Sequence, residues 1–420
     1  MRLKNLFLFG STVFVLLLTL SFQTGSTQTV EGWQASKETV EKLSASRSGF
    51  NYYEEKVPSY TLPDVFTEKN GKIVTTKEEW MKIRRPELLE LFRTNVYGRV
   101  PATPYHLDYK VINEDQKALN GAATMKQVDI AIISGGKSLV IHLTLFVPNN
   151  IPKPVPAFLL INLGSKNIDP KRNEKGESWP VDEIIARGYA AAAFNNADLD
   201  PDNFDNFKNG IHGILDNGIR PDDAWGTLAA WAWGASRCMD YLVSDKDVAK
   251  DKVAVVGHSR GGKTAIWAGA EDQRFAMVVG NESGAGGAAI ARRRLGETVA
   301  RLNTSFPHWF CANYKKYSDK EDALPVDTHE LLALIAPRAL YLDCASDDLW
   351  GDPKGCYLAL YNSLPVFRLF GINSELPEGV PPLDKQIISG KVAFHIRAGE
   401  HNLKLQDWNF FMDFADKVLK

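Results

Sequence analysis

Short, continuous apolar runs separated by helix-like stretches constrain the fold of this chain more than any other feature. Such runs are typical of parallel strands, because a sheet covered on both faces loses the polar alternation of a half-exposed strand. Parallel strands need crossover connections, which are usually helices that cover the sheet. The runs are residues 157–163, 189–194, 253–256, 277–280, 339–342 and 392–397. We predict an α/β fold in which a mostly parallel central sheet lies between two layers of helices.

Two alternating runs precede the apolar ones. Residues 127–133 and 139–147 flank the turn Ser134-Gly135-Gly136, a pattern that predicts an antiparallel hairpin. Residues 77–92 have a helical pattern that Pro86 is expected to break into two pieces.

The chain contains no internal repeat or low-complexity linker that would separate independent domains. We therefore predict that a lead-in segment, residues 28–103, packs on one α/β domain of residues 104–420. The protein is expected to be a monomer.

The N-terminus has the three-part pattern of a secretory signal peptide. Arg2 and Lys4 precede an apolar run over residues 6–22, after which the sequence becomes small and polar. We predict a signal peptide of residues 1–27 and an exported protein, periplasmic or secreted. An uncleaved anchor is the alternative, although the run is near the lower length limit for a spanning helix. No later run is long and apolar enough to span a bilayer.

Composition and charge exclude several classes of protein. The chain is 44% hydrophobic and 24% charged, with a formal net charge of −2, and no basic stripe indicates nucleic-acid binding. Asp198, Asp200 and Asp202 resemble a calcium loop, but Asn203 and Asn209 stand where that loop requires Gly and Glu. Because zinc spacings, phosphate loops and dinucleotide fingerprints are also missing from the sequence, we predict a reaction without metal or cofactor.

One of the apolar runs leads directly into Gly257-His258-Ser259-Arg260-Gly261, and residues 263–270 then have a helical pattern. At a nucleophile elbow, a strand turns sharply into a helix, so small residues flank a strained serine that projects from the sheet edge. The next backbone amide and the helix N-terminus favour a developing oxyanion. The motif and its context predict an α/β-hydrolase fold with Ser259 as the nucleophile.

A nucleophilic serine needs a base, and α/β hydrolases supply it late in the chain, after an acid. His401 follows the run at residues 392–397 in a flexible turn and precedes a helical pattern over residues 406–419. Among the histidines, only His401 has both the expected order and the expected loop position. We predict that it is the base.

Two carboxylates compete for the role of the acid. Asp348 follows the run at residues 339–342, the usual position for the acid in this fold. Glu282 follows the earlier run at residues 277–280. Either one could instead be a turn or capping residue. We expect at least one of them to orient His401, and Asp348 is the preferred candidate. How the two carboxylates share this role is left open.

Several longer motifs resemble the bacterial glucuronoyl esterases, carbohydrate esterase family 15. The resemblance covers essentially the whole mature chain, in the order of that family. Its motifs are Arg85-Pro86-Glu87-Leu88, Tyr97-Gly98-Arg99, Gly257-His258-Ser259-Arg260-Gly261-Gly262-Lys263, Ser283-Gly284-Ala285-Gly286-Gly287-Ala288, Arg292-Arg293, Gly296-Glu297, Phe306-Pro307-His308-Trp309-Phe310, Leu331-Leu332-Ala333-Leu334-Ile335-Ala336-Pro337-Arg338 and Asp348-Leu349-Trp350-Gly351-Asp352-Pro353.

The resemblance implies hydrolysis of the ester between 4-O-methyl-D-glucuronic acid of glucuronoxylan and lignin alcohols. It implies that Arg260 adds a charged donor to the oxyanion hole. The residues that it implies for substrate binding are Lys263, Glu297 and Trp350, which would hold sugar hydroxyls. His308 and Trp309, in the motif of residues 306–310, are further candidates for substrate binding, and His308 could line a pocket. For His308, a structural role is the stronger interpretation from the residues alone.

Two rival functions remain open on the sequence alone. An acetyl-xylan esterase or another carbohydrate esterase would use the same serine, histidine and acid. A carbohydrate-binding protein with a catalytically silent hydrolase fold is less favoured, because Ser259, His401 and both candidate acids are present.

Overall fold

The apolar runs form the centre of a ten-stranded sheet in the computed structural model, which describes residues 32–164 and 176–420. The strand order is β1-β2-β3-β5-β4-β6-β7-β8-β10-β9. Six neighbouring strands run parallel, in the order β5-β4-β6-β7-β8-β10. At the two ends of the sheet, β1, β2, β3 and β9 add antiparallel pairs. The strands are β1 His106–Ala118, β2 Ala123–Ser134, β3 Lys137–Pro148, β4 Val155–Asn162, β5 Ala190–Asn195, β6 Val248–His258, β7 Phe275–Asn281, β8 Ala339–Ala345, β9 Ile387–Ser389 and β10 Val392–Arg397.

Helices cover both faces of the sheet. Apolar residues of α6, α7 and α10 belong to the larger of two buried cores, and those of α4 and α11 belong to the smaller core. The helices are α1 Lys37–Ser46, α2 Lys77–Glu79, α3 Arg85–Phe92, α4 Val181–Ala186, α5 His212–Leu215, α6 Thr227–Leu242, α7 Arg260–Glu271, α8 Val299–Ser305, α9 Thr328–Ala333, α10 Pro353–Leu369 and α11 Leu405–Val418. The predicted three-layer α/β-hydrolase architecture is confirmed.

The side chains of β6 explain why its sequence is continuously apolar. Val253 and Val255 point into the larger core, whereas Ala254 and Val256 point into the smaller one. All four residues are completely buried. Since successive side chains of a strand point to opposite faces, a strand with both faces covered needs apolar residues at every position.

The segment before β1 packs against α7, the helix that follows Ser259. The Tyr97 ring stacks on the Trp267 ring with centroids 4.3 Å apart, and the Tyr97 hydroxyl donates a hydrogen bond to the Gly286 carbonyl at 2.8 Å. Arg93 pairs with Glu271 at the end of α7 at 2.8 Å. Residues 32–420 form one compact unit.

Two features of the secondary structure differ from the sequence predictions. Pro86 does not break the helical path, because the chain makes a π-helical turn over Trp80–Arg84 and Pro86 then lies in the first turn of α3. In a regular α-helix, a proline ring collides with the carbonyl group of the preceding turn. The π-helical turn moves that carbonyl group away from the ring of Pro86. β1 was not predicted because it is an edge strand whose side chains are nearly all exposed, so its sequence is mostly polar.

Within residues 32–164 and 176–420, no helix combines the length and the hydrophobicity that a bilayer crossing requires. The predicted signal peptide, residues 1–27, lies outside this part of the chain. Each of the four cysteines, Cys238, Cys311, Cys344 and Cys356, is a buried free thiol.

Candidate active site

Ser259 occupies a strained turn between β6 and α7. Its φ and ψ are 57° and −126°, a conformation that L-residues rarely adopt, and its N–H donates to the Asn281 carbonyl at 2.9 Å. A Cβ atom at Gly257 would lie 2.0 Å from the Gly261 carbonyl oxygen, so the motif needs glycine at that position. The turn therefore has the strand-to-helix geometry of a nucleophile elbow, with Ser259 at the carboxyl end of β6.

His401 lies beside the two candidate acids, which follow β7 and β8. Its Nδ1 is 2.7 Å from Asp348 Oδ2 and 2.9 Å from Glu282 Oε2. The His401 side chain is 40% exposed, Asp348 is 10% exposed and Glu282 is fully buried. Both carboxylates thus face the same imidazole nitrogen, which leaves Nε2 as the nitrogen able to exchange a proton with a serine.

The two carboxylates differ in their other partners. Glu282 accepts a hydrogen bond from Arg397 Nη2 at 2.7 Å, and its second oxygen accepts the Asn402 N–H at 2.9 Å. Burial raises the pKa of Glu282, while His401 and Arg397 oppose that shift. Asp348 therefore faces the imidazole without an arginine beside it in the described part of the chain, whereas the charge of Glu282 is shared with Arg397.

Arg397, the last residue of β10, holds the loop that carries His401. Its guanidinium donates to the backbone carbonyls of Ala398, Glu400 and Asn402 at 2.9 to 3.0 Å. Its Nε also contacts the buried Asp407 carboxylate at 3.2 Å. One buried cation thus fixes Glu282 and the His401 loop together, a role that the sequence analysis did not assign to it.

Arg260 is held by Asp202, one of the three aspartates that resemble a calcium loop in the sequence. Arg260 Nε lies 2.5 Å from Asp202 Oδ2. The other oxygen of Asp202 accepts hydrogen bonds from Trp309 Nε1 at 2.8 Å and from His308 Nε2 at 3.0 Å. Burial favours the neutral form of Asp202, but these donors and Arg260 outweigh it and lower the pKa of that carboxyl. An anionic Asp202 thereby fixes the guanidinium beside Ser259.

Lys263, Glu297 and Trp350 form a connected polar group on one wall of the site. Lys263 Nζ donates to Glu297 Oε2 at 3.0 Å and to the Ser283 carbonyl at 2.7 Å. Trp350 Nε1 donates to the other Glu297 oxygen at 3.2 Å. Lys263 and Glu297 are only 4% and 8% exposed, so their ionic groups are held rigidly at the cavity wall.

These groups surround a cavity of about 520 Å³ at the carboxyl edge of the sheet. Its lining includes all the predicted site residues except His308, which lies behind Arg260 against Asp202. The predicted residues in the lining are Ser259, Arg260, Lys263, Glu282, Glu297, Trp309, Asp348, Trp350 and His401. Arg47, Phe50, Arg301 and Phe306 also line it. Of these four residues, only Phe306 belongs to a motif that stands out in the sequence, the one that also contains Trp309.

His258, next to the nucleophile, is a packing residue. Its Nδ1 contacts the Asn281 side chain, and its ring lies 4.5 Å from that of His401. Burial, together with the positive charge on His401, lowers the pKa of His258 to about 4. The neutral imidazole of His258 therefore does not compete with His401 for a proton at neutral pH.

Among the residues that the structure describes, two groups of side chains bring possible metal-binding atoms within 4.8 Å of one another. One consists of His258, Glu282 and His401, and the other of Asp343, His395 and Asp407. In each group a histidine nitrogen already lies 2.9 Å from a carboxylate oxygen, so ion pairing accounts for both arrangements. The prediction that the reaction needs no metal remains a prediction.

A sheet with this strand order, an elbow serine after β6 and a histidine after the last parallel strand together define an α/β hydrolase. Residues 130–371, more than half of the chain, match the family described as "Glucuronyl esterase, fungi". This chain belongs to the glucuronoyl esterase family and is a carboxylic ester hydrolase.

Individual relatives agree with this assignment. The carbohydrate esterase MZ0003 of an unknown prokaryote is 39% identical over 403 residues, covering 89% of this chain and 93% of the relative. A solved glucuronoyl esterase structure from Solibacter usitatus is 40% identical, covers 87% of this chain and 100% of that chain, and has a TM-score of 0.82. The 4-O-methyl-glucuronoyl methylesterase of Schizophyllum commune is 28% identical over 329 residues, covering 74% of both chains.

Proposed function

We propose that this protein hydrolyses the ester between 4-O-methyl-D-glucuronic acid of glucuronoxylan and lignin alcohols, through an acyl-enzyme on Ser259. The observation that carries the proposal is that the Lys263–Glu297–Trp350 group shares one cavity with Ser259 and His401. A general esterase needs only the serine, its base and acid and the oxyanion donors, whereas further fixed ionic groups beside them suit a substrate rich in hydroxyls.

The first half of the reaction forms the acyl-enzyme. His401 accepts the Ser259 proton as the serine oxygen attacks the uronoyl carbonyl, and the carbonyl electron pair moves onto its oxygen. The carboxylates of Asp348 and Glu282 stabilise the resulting imidazolium at Nδ1. The intermediate then collapses, and the alcohol leaves with the proton from His401.

The second half releases the acid. Water attacks the acyl-enzyme, His401 accepts the water proton and returns it to the Ser259 oxygen, and the uronic acid leaves. In both halves, the Arg260 guanidinium and the backbone N–H groups at the start of α7 stabilise the oxyanion. Because Asp202 already fixes Arg260, little reorganisation is needed when the charge develops.

The sugar is held by the polar wall of the cavity. Glu297 accepts, and Lys263 donates, hydrogen bonds to ring hydroxyls, while Trp350 offers an apolar surface and an N–H. Trp309 lines the same cavity, and His308 acts from behind through Asp202. We propose that the protein is exported, which the predicted signal peptide of residues 1–27 supports. We propose further that it acts as a monomer.

The substrate preference tests this proposal. We expect the purified protein to hydrolyse the benzyl ester of glucuronic acid with a higher kcat/KM than it shows for acetyl groups of acetylated xylan. Alcohol release and acetate release would be measured under the same conditions. A preference for acetylated xylan would contradict the proposal and favour an acetyl-xylan esterase.

We expect Lys263→Ala to impair a glucuronate ester more than it impairs 4-nitrophenyl acetate. The variant loses a charged hydrogen-bond donor to the sugar, worth roughly tenfold to a hundredfold in kcat/KM, and the acetate has no hydroxyls to lose. Lys126→Ala is the matched control, since Lys126 is another nearly buried lysine, paired with Asp245 at 2.7 Å outside the cavity. Equal losses on the two substrates in Lys263→Ala would indicate a purely structural lysine.

The pH dependence should report the charge on His401. Burial opposes the imidazolium, but the hydrogen bonds and charges of Asp348 and Glu282 outweigh it and raise the pKa of His401 to about 10. Only the neutral imidazole accepts the Ser259 proton, so kcat/KM should rise with pH, with a midpoint above 6.5.

Asp348→Asn should move that midpoint to lower pH, because the imidazolium then loses one of its two anionic neighbours. The measurement is kcat/KM for benzyl glucuronate over a range of pH in both proteins. A midpoint that is unchanged, or that moves to higher pH, would contradict the assignment of Asp348 as a partner of His401.

A further inference from the structure

Two arginines and two aromatic rings form one rim of the active-site cavity. The Arg47 guanidinium lies over the Trp350 ring, 4.8 Å from its centroid, and Arg301 lies 6.0 Å from the same ring and 5.6 Å from that of Phe50. The Phe50 and Trp350 rings contact each other edge to face, with centroids 4.8 Å apart. We call Arg47, Phe50, Arg301 and Trp350 the arginine rim.

The arginine rim differs from the rest of the cavity in its charge balance. The other cations of the lining are paired, Arg260 with Asp202 at 2.5 Å and Lys263 with Glu297 at 3.0 Å. In the part of the chain that the structure describes, neither Arg47 nor Arg301 has a carboxylate within 4.0 Å. Two uncompensated positive charges therefore stand at one side of the cavity mouth.

The aromatic rings hold the guanidinium groups but do not neutralise them. A ring face attracts a cation through its quadrupole and leaves the N–H groups at the edge of the guanidinium free to bind an anion. The planar fork of arginine matches a carboxylate, and its charge persists at every physiological pH. Two such groups beside one ring form a fitting receptor for a carboxylate.

The position of the rim indicates which part of the substrate would carry that carboxylate. Trp350 belongs both to the rim and to the polar wall, where its Nε1 donates to Glu297. If the esterified sugar occupies the polar wall, the next group that the rim meets is the carbohydrate attached to that sugar. This step rests on the proposed function, because the sugar position is taken from it.

We infer that Arg47 and Arg301 form a binding site for a second carboxylate on the carbohydrate side of the ester. The substrate class is an acidic oligosaccharide, in which a free uronic acid lies close to the esterified one. The rim would distinguish such a substrate from a neutral glycoside of the same shape.

Two methyl glucuronate glycosides test the inference, one with a 4-carboxyphenyl group on the anomeric oxygen and the other with 4-carbamoylphenyl. They have nearly the same shape and differ by one negative charge. We expect the wild-type kcat/KM to favour the carboxylate by roughly threefold to tenfold at low salt, the range for two exposed ion pairs. The preference should decrease in 0.5 M NaCl, because salt screens exposed charges.

The ratio should fall to about one in the Arg47→Gln, Arg301→Gln double variant. Arg237→Gln is the control for each single substitution, since it removes one positive charge and Arg237 also lies over a tryptophan ring, at 4.8 Å from the Trp233 centroid, outside the cavity. This control should keep the wild-type ratio. A wild-type ratio of one or below, or a ratio unchanged in the double variant, overturns the inference.

Failure of the proposed function would look different. If neither glycoside were hydrolysed, the proposed function would be contradicted, and the inference would then be decided by binding. Dissociation constants of both glycosides for Ser259→Ala, measured by calorimetry with and without the two arginine substitutions, give the same ratio without turnover. Tighter binding of the carboxylate that depends on both arginines supports the rim, and equal binding overturns it.

Discussion

Replacing Ser259 by alanine is expected to lower kcat for benzyl glucuronate by about a thousandfold or more, and His401→Ala should cause a similar loss. The serine and its base act as one unit, so removing either leaves only the oxyanion donors and substrate binding. The double variant should therefore be hardly less active than each single one. Initial rates on one ester, with folding checked by circular dichroism, measure the effect.

His142→Ala is the matched control for the histidine. His142 lies on β3, its side chain is 62% exposed, and it contacts Asp129 at 2.8 Å much as His401 contacts Asp348. This variant should keep its activity. Activity within about tenfold of wild type in Ser259→Ala or His401→Ala would remove the assignment of these residues, since a cooperating pair loses far more.

The second large effect concerns the two acids. We expect Asp348→Asn to lower activity more than Glu282→Gln does. Loss of one charged hydrogen bond should lower the rate by roughly tenfold to a hundredfold. Each single variant keeps one carboxylate near His401 Nδ1, at 2.7 or 2.9 Å in the wild type. In the double variant no anion remains to fix the tautomer or stabilise the imidazolium, a loss of up to about four orders of magnitude.

Rates for both single variants and the double variant form a cycle that measures this sharing. Asp129→Asn, at the exposed His142 pair, controls for removal of a carboxylate beside a histidine. Thermal unfolding separates the stability cost of Glu282→Gln, because Arg397 loses a buried partner in that variant. An inactive Glu282→Gln beside an active Asp348→Asn would overturn the preference and make Glu282 the principal acid.

Sequence reasoning found the parallel strands because their physical cause is local. A strand buried on both faces must be apolar at every position, as Val253 to Val256 are, and this is visible without the fold. The Ser259 elbow was equally visible, since it needs small residues between a strand and a helix within a few positions. The order of serine, acid and histidine then singled out His401.

What the sequence left open depends on contacts between distant segments. Asp202 follows β5, and nothing in its local pattern shows that its carboxylate meets Arg260. In the sequence, Arg397 has the pattern of an ordinary strand end, although in the structure it binds Glu282 and the His401 loop. Arg47 lies some 300 residues before Trp350, so the arginine rim exists only once the lead-in segment has packed on the core.

The competition between the two acids could not be resolved for a geometric reason. β7 and β8 are adjacent parallel strands, so the residues that follow them meet at the same edge of the sheet. Sequence order places Asp348 and Glu282 at that edge but cannot show that both carboxylates approach the same nitrogen of His401. The structure brings them there together, which turns a choice between two residues into a question of how they share one role.

Active-site labelling tests the central claim, hydrolysis of glucuronoyl esters at Ser259, most directly. The protein would be treated with a fluorophosphonate, with and without excess benzyl glucuronate, and the label located by peptide mass spectrometry while the remaining esterase activity is followed. We predict one label per chain, on Ser259, and a loss of activity in proportion to labelling. Excess benzyl glucuronate should slow both the labelling and the loss of activity. Full activity after complete labelling of Ser259, or stoichiometric labelling at another residue, would contradict the account.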